Sequence, residues 1–251
     1  MTTENKKIYF VSDCHLGIPD KTKSLEREKK LVMWLDTIKS DASELFILGD
    51  LFDFWFEYKT VIPRGYVRLL GKLAELTDSG IKIHMFTGNH DMWMFNYFPE
   101  ELGIEIIRQP VETERNGLKL MIGHGDGLGP DDYGYKFIKK VFANKLCQWL
   151  FARLHPNFAI GMGLFFSRRS RLARGDSDYE YKGDDKERLL VYTKEILKQK
   201  HFDLFIFGHR HYPLDMIIGE NSHYINLGDW IYNFTYGVLD GKEFFLKKWV
   251  D

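Results

Sequence analysis

Five short polar motifs, each directly after an apolar run, contain the side chains of this 251-residue chain best suited to bind metal ions. They are Asp13-Cys14-His15, Gly49-Asp50-Leu51-Phe52-Asp53, Gly88-Asn89-His90-Asp91, Gly123-His124-Gly125-Asp126 and Gly208-His209-Arg210-His211. Carboxylate, amide oxygen and imidazole ligands without thiolate suit Mn, Fe or Zn, with Mg as a further option. One such motif alone is often a turn, a helix cap or a buried histidine. Five of them in one chain indicate a metal centre.

The spacing inside two motifs suggests how their side chains are directed. Side-chain direction repeats every two residues along an extended segment, so Asp13 and His15 should face the same side. The same argument applies to His209 and His211. An adjacent glycine lets the backbone turn sharply and a metal approach closely, and four have this position: Gly49, Gly88, Gly123 and Gly208. The remaining histidines are interpreted as structural or surface residues: His84, His155, His201 and His223.

The apolar runs that must position these motifs read as strands separated by helices. Short β-rich runs predict strands at 7–11, 45–48, 81–86, 118–122, 204–207, 214–218, 224–227 and 234–239. Helical spacing predicts helices at 25–38, 66–77 and 186–200, the last with Asp184 and Glu187 as a capping box. Helices that alternate with strands early, and strands that crowd late, indicate a layered α/β fold with two sheets. Ligand sites in such folds gather beyond the carboxyl ends of strands.

Composition places the protein among soluble or peripheral proteins of a reducing compartment. The two cysteines, Cys14 and Cys147, lie far apart and in no CxxC pattern, which fits a cytoplasm rather than a disulfide framework. The longest apolar run, 158–166, falls far short of the ~20 residues that span a bilayer. The polar N-terminus runs straight into a strand-like stretch, so we expect no signal peptide.

A cationic and aromatic segment at about 131–180 is predicted to be a helical insertion between two core strands. Residues 134–174 include nine basic and no acidic residues, whereas the rest of the chain has 26 basic and 36 acidic residues. Aromatic rings on helices are usually packing core. Apolar and cationic faces combined on one element also suit a lipid with a phosphate head, or a membrane surface. Arginine clusters also bind nucleic acid, but the bulky aliphatic residues between them suit acyl chains better than bases.

In their order along the chain, the five motifs resemble those of the calcineurin-like metallophosphoesterases. The resemblance implies one domain over residues 1–251: a layered two-sheet β-sandwich flanked by helices, with a helical lid inserted at about 131–180. It implies a centre of two divalent ions, with Mn²⁺ expected. One ion would be held by Asp13, His15, Asp50 and His211. The other would be held by Asp50, Asn89, His124 and His209, with Asp50 bridging.

A closer resemblance, over nearly the whole chain, is to the UDP-2,3-diacylglucosamine pyrophosphatases of lipid A synthesis. It rests on 49–55, on His124-Gly125-Asp126 continuing to Asp131-Asp132, on 208–213 and on 226–230. It implies hydrolysis of the pyrophosphate bond of UDP-2,3-diacylglucosamine to UMP and 2,3-diacylglucosamine 1-phosphate. It also implies a cytoplasmic enzyme that associates peripherally with the inner membrane. The chain has His90 where the best-known members have arginine, so a phosphodiesterase or nucleotide pyrophosphatase with a soluble substrate is the alternative.

The family resemblance also suggests roles for residues around the metals. Two metals can activate a water for in-line displacement, so no serine or cysteine nucleophile is needed. His90, oriented by Asp91, is expected to protonate the leaving group or to stabilise phosphoryl charge. Asp53 and Asp126 either orient ligand imidazoles or cap turns. Six residues are candidates for substrate contacts: Asp132, Tyr135, Arg168, Arg169, Ser170 and Arg171. A metal-free interaction module on the same scaffold should have lost ligands, and this chain has all of them.

Overall fold

The computed structural model describes residues 6–131, 133–174, 179–181 and 183–250. Within these ranges the strands are β1 (Lys7–Val11), β2 (Ala42–Leu48), β3 (Lys82–Phe86), β4 (Glu105–Ile107), β5 (Val111–Arg115), β6 (Leu118–Gly123), β7 (Leu204–Phe207), β8 (Pro213–Ile218), β9 (Ser222–Leu227), β10 (Thr235–Asp240) and β11 (Glu243–Lys248). The helices in the same ranges are α1 (Lys21–Ile38), α2 (Val67–Asp78), α3 (Tyr97–Leu102), α4 (Tyr133–Ala143), α5 (Lys145–Phe151), α6 (Pro156–Arg174) and α7 (Arg188–Leu197).

The strands form two mixed sheets. One sheet has the order β11-β10-β1-β2-β3-β4 and the other has the order β5-β6-β7-β9-β8. Strands β1 to β4 pair in parallel, as do β6, β7 and β9, whereas β5, β8, β10 and β11 pair antiparallel to their neighbours. Each sheet therefore has a parallel centre whose carboxyl ends share one edge. The predicted two-sheet α/β architecture flanked by helices is confirmed.

Alternation along the central strands divides their side chains between two cores. Phe46 and Leu48 of β2 pack between the sheets with residues of the second sheet such as Ile206. Leu45, on the opposite face of β2, packs on the helix side with Trp34 of α1. Helix α7 covers the outer face of the second sheet. Because both faces of β2 are buried at 45–48, the sequence there is a continuous apolar run rather than an alternating one.

Two predicted helices begin two or more residues away from the predicted start. Helix α1 starts at Lys21, because Oδ1 of Asp20 accepts hydrogen bonds from the amides of Thr22 (2.8 Å) and Lys23 (2.9 Å). The capping box predicted for the last helix was wrong. Helix α7 begins at Arg188, two residues late, and the carboxylate of Asp184 pairs instead with Nζ of Lys194 at 2.8 Å.

Four short elements were missed by the sequence patterns: α3, β4, β5 and β11. Strand β4 has only three residues and α3 only six, which is too short for a hydrophobic period to register. Strand β5, Val-Glu-Thr-Glu-Arg, lies at an edge of its sheet and contains little apolar sequence. Strand β11 is also an edge strand.

The segment between β6 and β7 is helical, as predicted for the insertion. We call helices α4, α5 and α6 the lid. Helices α4 and α5 contain no buried residue among those described, and many of the lid's large apolar side chains are exposed. Most of these rings therefore do not form an ordinary packing core. No described helix of the chain is both long and apolar enough to cross a membrane.

Candidate metal centre

The five polar motifs meet at the edge where the parallel strands of both sheets end. Strands β1, β2 and β3 lead into the motifs of Asp13, Asp50 and Asn89. Strands β6 and β7 of the other sheet lead into those of His124 and His209. Residues far apart in sequence thus come together because each follows the carboxyl end of a parallel strand.

The first group of candidate ligands consists of Asp13, His15 and His211. Oδ1 of Asp13 lies 3.6 Å from Nε2 of His15 and 3.5 Å from Nε2 of His211. The two Nε2 atoms are 3.2 Å apart. Ligand atoms about 2.0–2.2 Å from a shared ion lie roughly 3–3.5 Å from one another. These three atoms therefore have the separations of ligands around one ion.

Asp50 lies between this group and a second one. Its Oδ2 atom is 3.6 Å from Nε2 of His15 and 3.5 Å from Nε2 of His124. Oδ1 of Asn89 lies 3.4 Å from Nε2 of His124. The ring centroids of His209 and His124 are 5.1 Å apart. One carboxylate oxygen thus faces both groups, which is the position of a bridging ligand.

The hydrogen bonds of Asp13 and His124 leave the metal-facing atoms of these two residues available. Oδ2 of Asp13 accepts from the hydroxyl of Ser12 and from the amide of His209, whereas the buried Oδ1 has no hydrogen-bond partner in the described part of the chain. Nδ1 of His124 lies 2.7 Å from the carbonyl oxygen of Leu48 and donates to it, so Nε2 is the nitrogen left to bind a metal. A buried carboxylate oxygen without a partner calls for a cation. The residues therefore fit divalent ions.

The electrostatics of the cluster also favour bound cations. Burial alone would lower the pKa of His124, but the carboxylates of Asp50 and Asp13 raise it to about 10. Burial and the neighbouring His124 lower the pKa of His209 to about 4. Although burial opposes it, the surrounding imidazoles hold the pKa of Asp50 well below its usual value. Ionised, buried carboxylates among imidazoles favour added positive charge, which divalent ions supply.

The backbone at four candidate ligands is not extended, which corrects the argument from side-chain alternation. Asp13, His15, Asp50 and His209 have φ angles of 54°, 43°, 50° and 68°. These left-handed conformations are unfavourable outside glycine and cluster at functional sites. Asp13 and His15 still meet in one group, but through left-handed backbone and not through alternation along an extended segment. His209 lies against His124, whereas His211 lies against His15.

Two of the four glycines beside the motifs, Gly88 and Gly208, are required because other atoms lie close to them and not because the backbone turns there. A Cβ atom at Gly88 would collide with the carboxylate of Asp50, and one at Gly208 would collide with Ser12 and Asp13. A side chain at either position would therefore displace a candidate metal ligand.

His90 lies beside the ligands with a defined tautomer. Its Nδ1 atom is 3.0 Å from both the carbonyl oxygen of Asp53 and Oγ of Ser167. The Ser167 hydroxyl donates to Asp53, so both neighbours of Nδ1 accept, Nδ1 carries the proton and Nε2 is free for a substrate. Burial lowers the pKa of His90 to about 4, so in the folded protein without substrate the imidazole is neutral at pH 7.

Asp91 does not orient His90 as predicted from the sequence. Its carboxylate accepts from the backbone amides of Gly88 and Leu51 at 2.8 Å, and of Asp50 and Phe52 at 3.3 Å. Asp91 thereby fixes the loop that carries Asp50. Asp91 is therefore a positioning residue.

Asp53 and Asp126 connect the centre to the lid. Oδ1 of Asp53 lies 3.7 Å from Nδ1 of His15, beyond hydrogen-bond distance, so its orienting role stays a prediction. The carboxylate accepts from Arg171 of α6. Asp126 accepts from the hydroxyl of Tyr135 and pairs with Nζ of Lys139 at 2.7 Å, both on α4. Two loops of the metal centre are thus each tied to a lid helix by a buried carboxylate.

The candidate substrate residues divide between the centre and the surface. Arg171 reaches Nδ1 of His15 at 2.9 Å, and Ser170 lines the cavity described below. Tyr135 lines the same cavity. Arg168 and Arg169 are exposed, and Arg168 donates to the carbonyl of Pro19 at 3.3 Å. Asp132 lies outside the described residues.

A cavity of about 540 Å³ runs from the centre into the lid. Asn89 and His90 line its inner end. Most of its wall is apolar, from the loops after β2 and β3 and from the lid: Phe54, Trp55, Met92, Trp93, Ile138, Phe142, Phe151, Met162 and Phe166. This is the size and composition of a small-molecule site that also has a few polar groups for orientation.

Sequence comparison assigns the family. The profile described as calcineurin-like phosphoesterase matches residues 6–213. The chain belongs to the calcineurin-like phosphoesterase family. This phosphoesterase is 36% identical to a UDP-2,3-diacylglucosamine hydrolase of Porphyromonas gingivalis over 98% of each chain. It is 29% identical to a UDP-2,3-diacylglucosamine hydrolase of Histophilus somni over 90% of this chain and 92% of that one.

Among solved structures, the Escherichia coli phosphoesterase Yfce aligns with 93% of this chain and 88% of its own, at 16% identity and a TM-score of 0.44. The assignment rests on the sequence matches and not on this likeness. The phosphoesterase is accordingly a hydrolase that depends on divalent metal ions.

Sequence patterns missed several residues that support the phosphoesterase centre. Asp229 follows β9, and its Oδ2 atom lies 3.8 Å from Nδ1 of His211. The hydroxyl of Tyr179 lies 3.0 Å from the same nitrogen, and Ser12 and Ser167 bind Asp13 and Asp53. Asp229 had a signal, because it follows an apolar run at a glycine as the ligands do. The serines and Tyr179 had none.

Proposed function

We propose that this phosphoesterase hydrolyses the pyrophosphate bond of UDP-2,3-diacylglucosamine, giving UMP and 2,3-diacylglucosamine 1-phosphate. The observation that carries the proposal is the apolar cavity that opens on the candidate metal centre at His90 and Asn89. A soluble nucleotide needs no such cavity, whereas burial of acyl chains contributes about 0.8 kcal/mol per methylene. Relatives that match nearly the whole chain have the corresponding name.

The chemistry is assigned to the residues as follows. Seven side chains hold two divalent ions, with Mn²⁺ proposed because the set is oxygen and imidazole without thiolate: Asp13, His15, Asp50, Asn89, His124, His209 and His211. When bound, two such ions supply positive charge to the phosphoryl oxygens and lower the pKa of an attacking water. Asp91 holds the loop of Asp50 through its backbone amides, and Asp53 acts on His15 through Arg171, which contacts both.

His90 serves the reacting phosphoryl group directly. Its Nδ1 proton is engaged by Asp53 and Ser167, so the Nε2 atom is the one that faces the substrate. A phosphate group nearby raises the pKa of the imidazole by its negative charge. A proton on Nε2 can then stabilise a phosphoryl oxygen or pass to the leaving group. Arg171, beside His15, provides fixed positive charge for the diphosphate.

The lid is proposed to take the acyl chains and to rest on the cytoplasmic face of the inner membrane. Its exposed apolar side chains are large and close in sequence: Tyr133, Phe137, Ile138, Leu146, Trp149, Leu150, Phe158, Phe165 and Phe166. Exposed apolar surface of this extent marks an interaction site. The nine basic residues of the same segment suit anionic lipid head groups.

The test compares kcat/KM of the Mn²⁺-loaded protein on UDP-2,3-diacylglucosamine and on UDP-N-acetylglucosamine. Bis-p-nitrophenyl phosphate serves as a control for the metal chemistry, because it needs no acyl site. We expect a strong preference for the diacylated substrate. Equal rates on both UDP-sugars would favour the soluble-substrate alternative. No turnover of the lipid, with the small diester still cleaved, would remove the lipid assignment and leave the phosphoesterase chemistry.

Membrane association has its own test. The protein should sediment with vesicles that contain anionic phospholipid and less well with purely zwitterionic ones. Phe137→Ser with Trp149→Ser should reduce sedimentation, because both rings are exposed on the lid. Cleavage of bis-p-nitrophenyl phosphate should be unchanged in that variant. Equal sedimentation of the variant and the parent protein would argue against the lid as the membrane contact.

A further inference from the structure

Four tyrosines lie on a side of the metal centre that the lid cavity does not reach. Tyr179 packs edge-on against His211, with ring centroids 5.1 Å apart, and against Tyr232 at 5.3 Å. Tyr181 and Tyr212 form a second, nearly parallel pair, with centroids 6.5 Å apart and an interplanar angle of 24°. None of the four is among the described residues that line the cavity.

The two sides meet the centre at different histidines. His90 lines the cavity, whereas Tyr179, the first of the tyrosines, packs against His211. The ring of His15 stands between them, 4.9 Å from that of His90 and 5.0 Å from that of His211. A substrate whose pyrophosphate lies over this centre, with one arm in the cavity, directs its other arm towards the tyrosines.

The loop that carries Tyr232 is fixed although its ring is exposed. Oδ1 of Asp229 accepts from the amides of Ile231, Tyr232 and Asn233 at 3.3, 3.0 and 2.8 Å. Nδ2 of Asn233 donates to the carbonyl of His211 at 2.8 Å. The Tyr232 side chain is nevertheless 68% exposed. A rigid backbone that presents an exposed ring is suited to receive a planar ligand at little entropic cost.

We propose that Tyr232, supported by Tyr179, is the stacking platform for the base of the nucleoside diphosphate substrate. The inference deepens the proposed function, on which it rests, by assigning a place to the nucleotide arm. Two successive ring contacts through Tyr179, with centroids 5.1 and 5.3 Å apart, connect His211 to Tyr232, and the ribose of a nucleotide can span a separation of this size. Every base has a π-face, so a base of any kind can stack on an aromatic side chain.

The test measures the binding of UMP and of ribose 5-phosphate to the Mn²⁺-loaded full-length protein by titration calorimetry. Both ligands offer the centre a phosphate, and only UMP has a base. We expect UMP to bind about tenfold tighter or more. Tyr232→Ala should remove that difference and leave ribose 5-phosphate binding unchanged. Tyr232→Phe should keep it, because the ring and not the hydroxyl makes the stack.

Phe245→Ala is the matched control, since Phe245 is an exposed ring on the distant edge strand β11. It should bind UMP as the parent protein does. Equal affinities of the parent protein for UMP and ribose 5-phosphate would overturn the platform. A preference for UMP that persists in Tyr232→Ala would overturn it as well. Failure of the lipid assignment is separate, because it shows in the UDP-diacylglucosamine assay and leaves these binding differences in place.

Discussion

The guanidinium of Arg171 on lid helix α6 donates to the carboxylate of Asp53, in the loop that follows β2. That carboxylate also accepts from Ser167, one turn earlier on α6, and lies 3.7 Å from Nδ1 of His15. Burial raises the pKa of Asp53, but His15 and Arg171 outweigh it and lower that pKa to about 2. A lid helix and a candidate metal ligand therefore share one ionised carboxylate, and the lid is not a separable attachment.

Arg171→Gln should loosen helix α6, because Asp53 would keep its buried charge without the guanidinium. We expect amide hydrogen exchange in 156–174 to rise by about tenfold, which corresponds to roughly 1.4 kcal/mol of local stability. Mass spectrometry of the exchanged peptides measures this. Arg64→Gln, at an exposed arginine before α2, should leave the exchange unchanged. Unaltered exchange in Arg171→Gln would show that packing alone holds the lid.

His90→Ala should lower kcat by about 10²–10⁴, the usual contribution of a general acid or base. Metal content should stay at the parent level, because the Nδ1 atom of His90 binds Asp53 and Ser167 and no metal role is assigned to the ring. Steady-state kinetics and elemental analysis together measure the two effects. If metal is lost along with activity, His90 is a ligand or a support of the centre instead.

Glu28→Ala should destabilise the fold, because this buried carboxylate of α1 caps a different helix. Its Oε1 atom accepts from the amides of Arg68 (2.9 Å) and Leu69 (3.2 Å) at the start of α2, which has no side-chain cap of its own. Loss of a cap lowers the free energy of unfolding by about 1–2 kcal/mol. Urea denaturation measures it. Glu26→Ala, an exposed position on the same helix, should change stability by less than about 0.5 kcal/mol.

The stabilising contribution of His84 should depend on pH. Hydrogen bonds to Glu44 at 3.1 Å and Glu105 at 2.9 Å raise the pKa of His84 in the folded protein. A raised folded pKa means that the contribution is fully present below the unfolded value of about 6.5 and is lost as pH rises through the folded value.

The variant for this test is His84→Phe, which keeps a ring against Phe46, where the parent centroids are 4.6 Å apart. Its deficit in the free energy of unfolding should be about 1 kcal/mol at pH 6 and should shrink above the folded pKa. Urea denaturation at a series of pH values gives this deficit. A deficit that is the same at every pH would indicate packing rather than charge.

The candidate ligands could be predicted from the sequence because each directly follows a strand, and strand order brings the ends of parallel strands together. The backbone conformation of the residues that follow those strands could not be predicted from the sequence. Asp13, His15, Asp50 and His209 adopt left-handed φ angles that neighbouring sequence does not encode and that tertiary contacts impose. The same holds for the caps of the helices. Asp20 caps α1 locally, whereas α2 relies on Glu28, some 40 residues away in sequence.

The lid shows the other limit of sequence patterns. The segment was predicted to be a helical insertion, but composition cannot tell whether an apolar side chain of such a helix packs inside or stays exposed. Phe151 packs against Trp93, with centroids 4.6 Å apart, while Phe137 is 68% exposed on the neighbouring helix. Only the tertiary arrangement separates the two environments.

The central claim is that Asp50 bridges two divalent ions, and anomalous diffraction from crystals grown with Mn²⁺ tests it most directly. We predict two anomalous peaks roughly 3.5–4 Å apart, one on each side of the Asp50 carboxylate. One peak should lie among Asp13, His15 and His211, and the other among Asn89, His124 and His209. A single peak, or two peaks that do not share Asp50, would contradict the dinuclear centre.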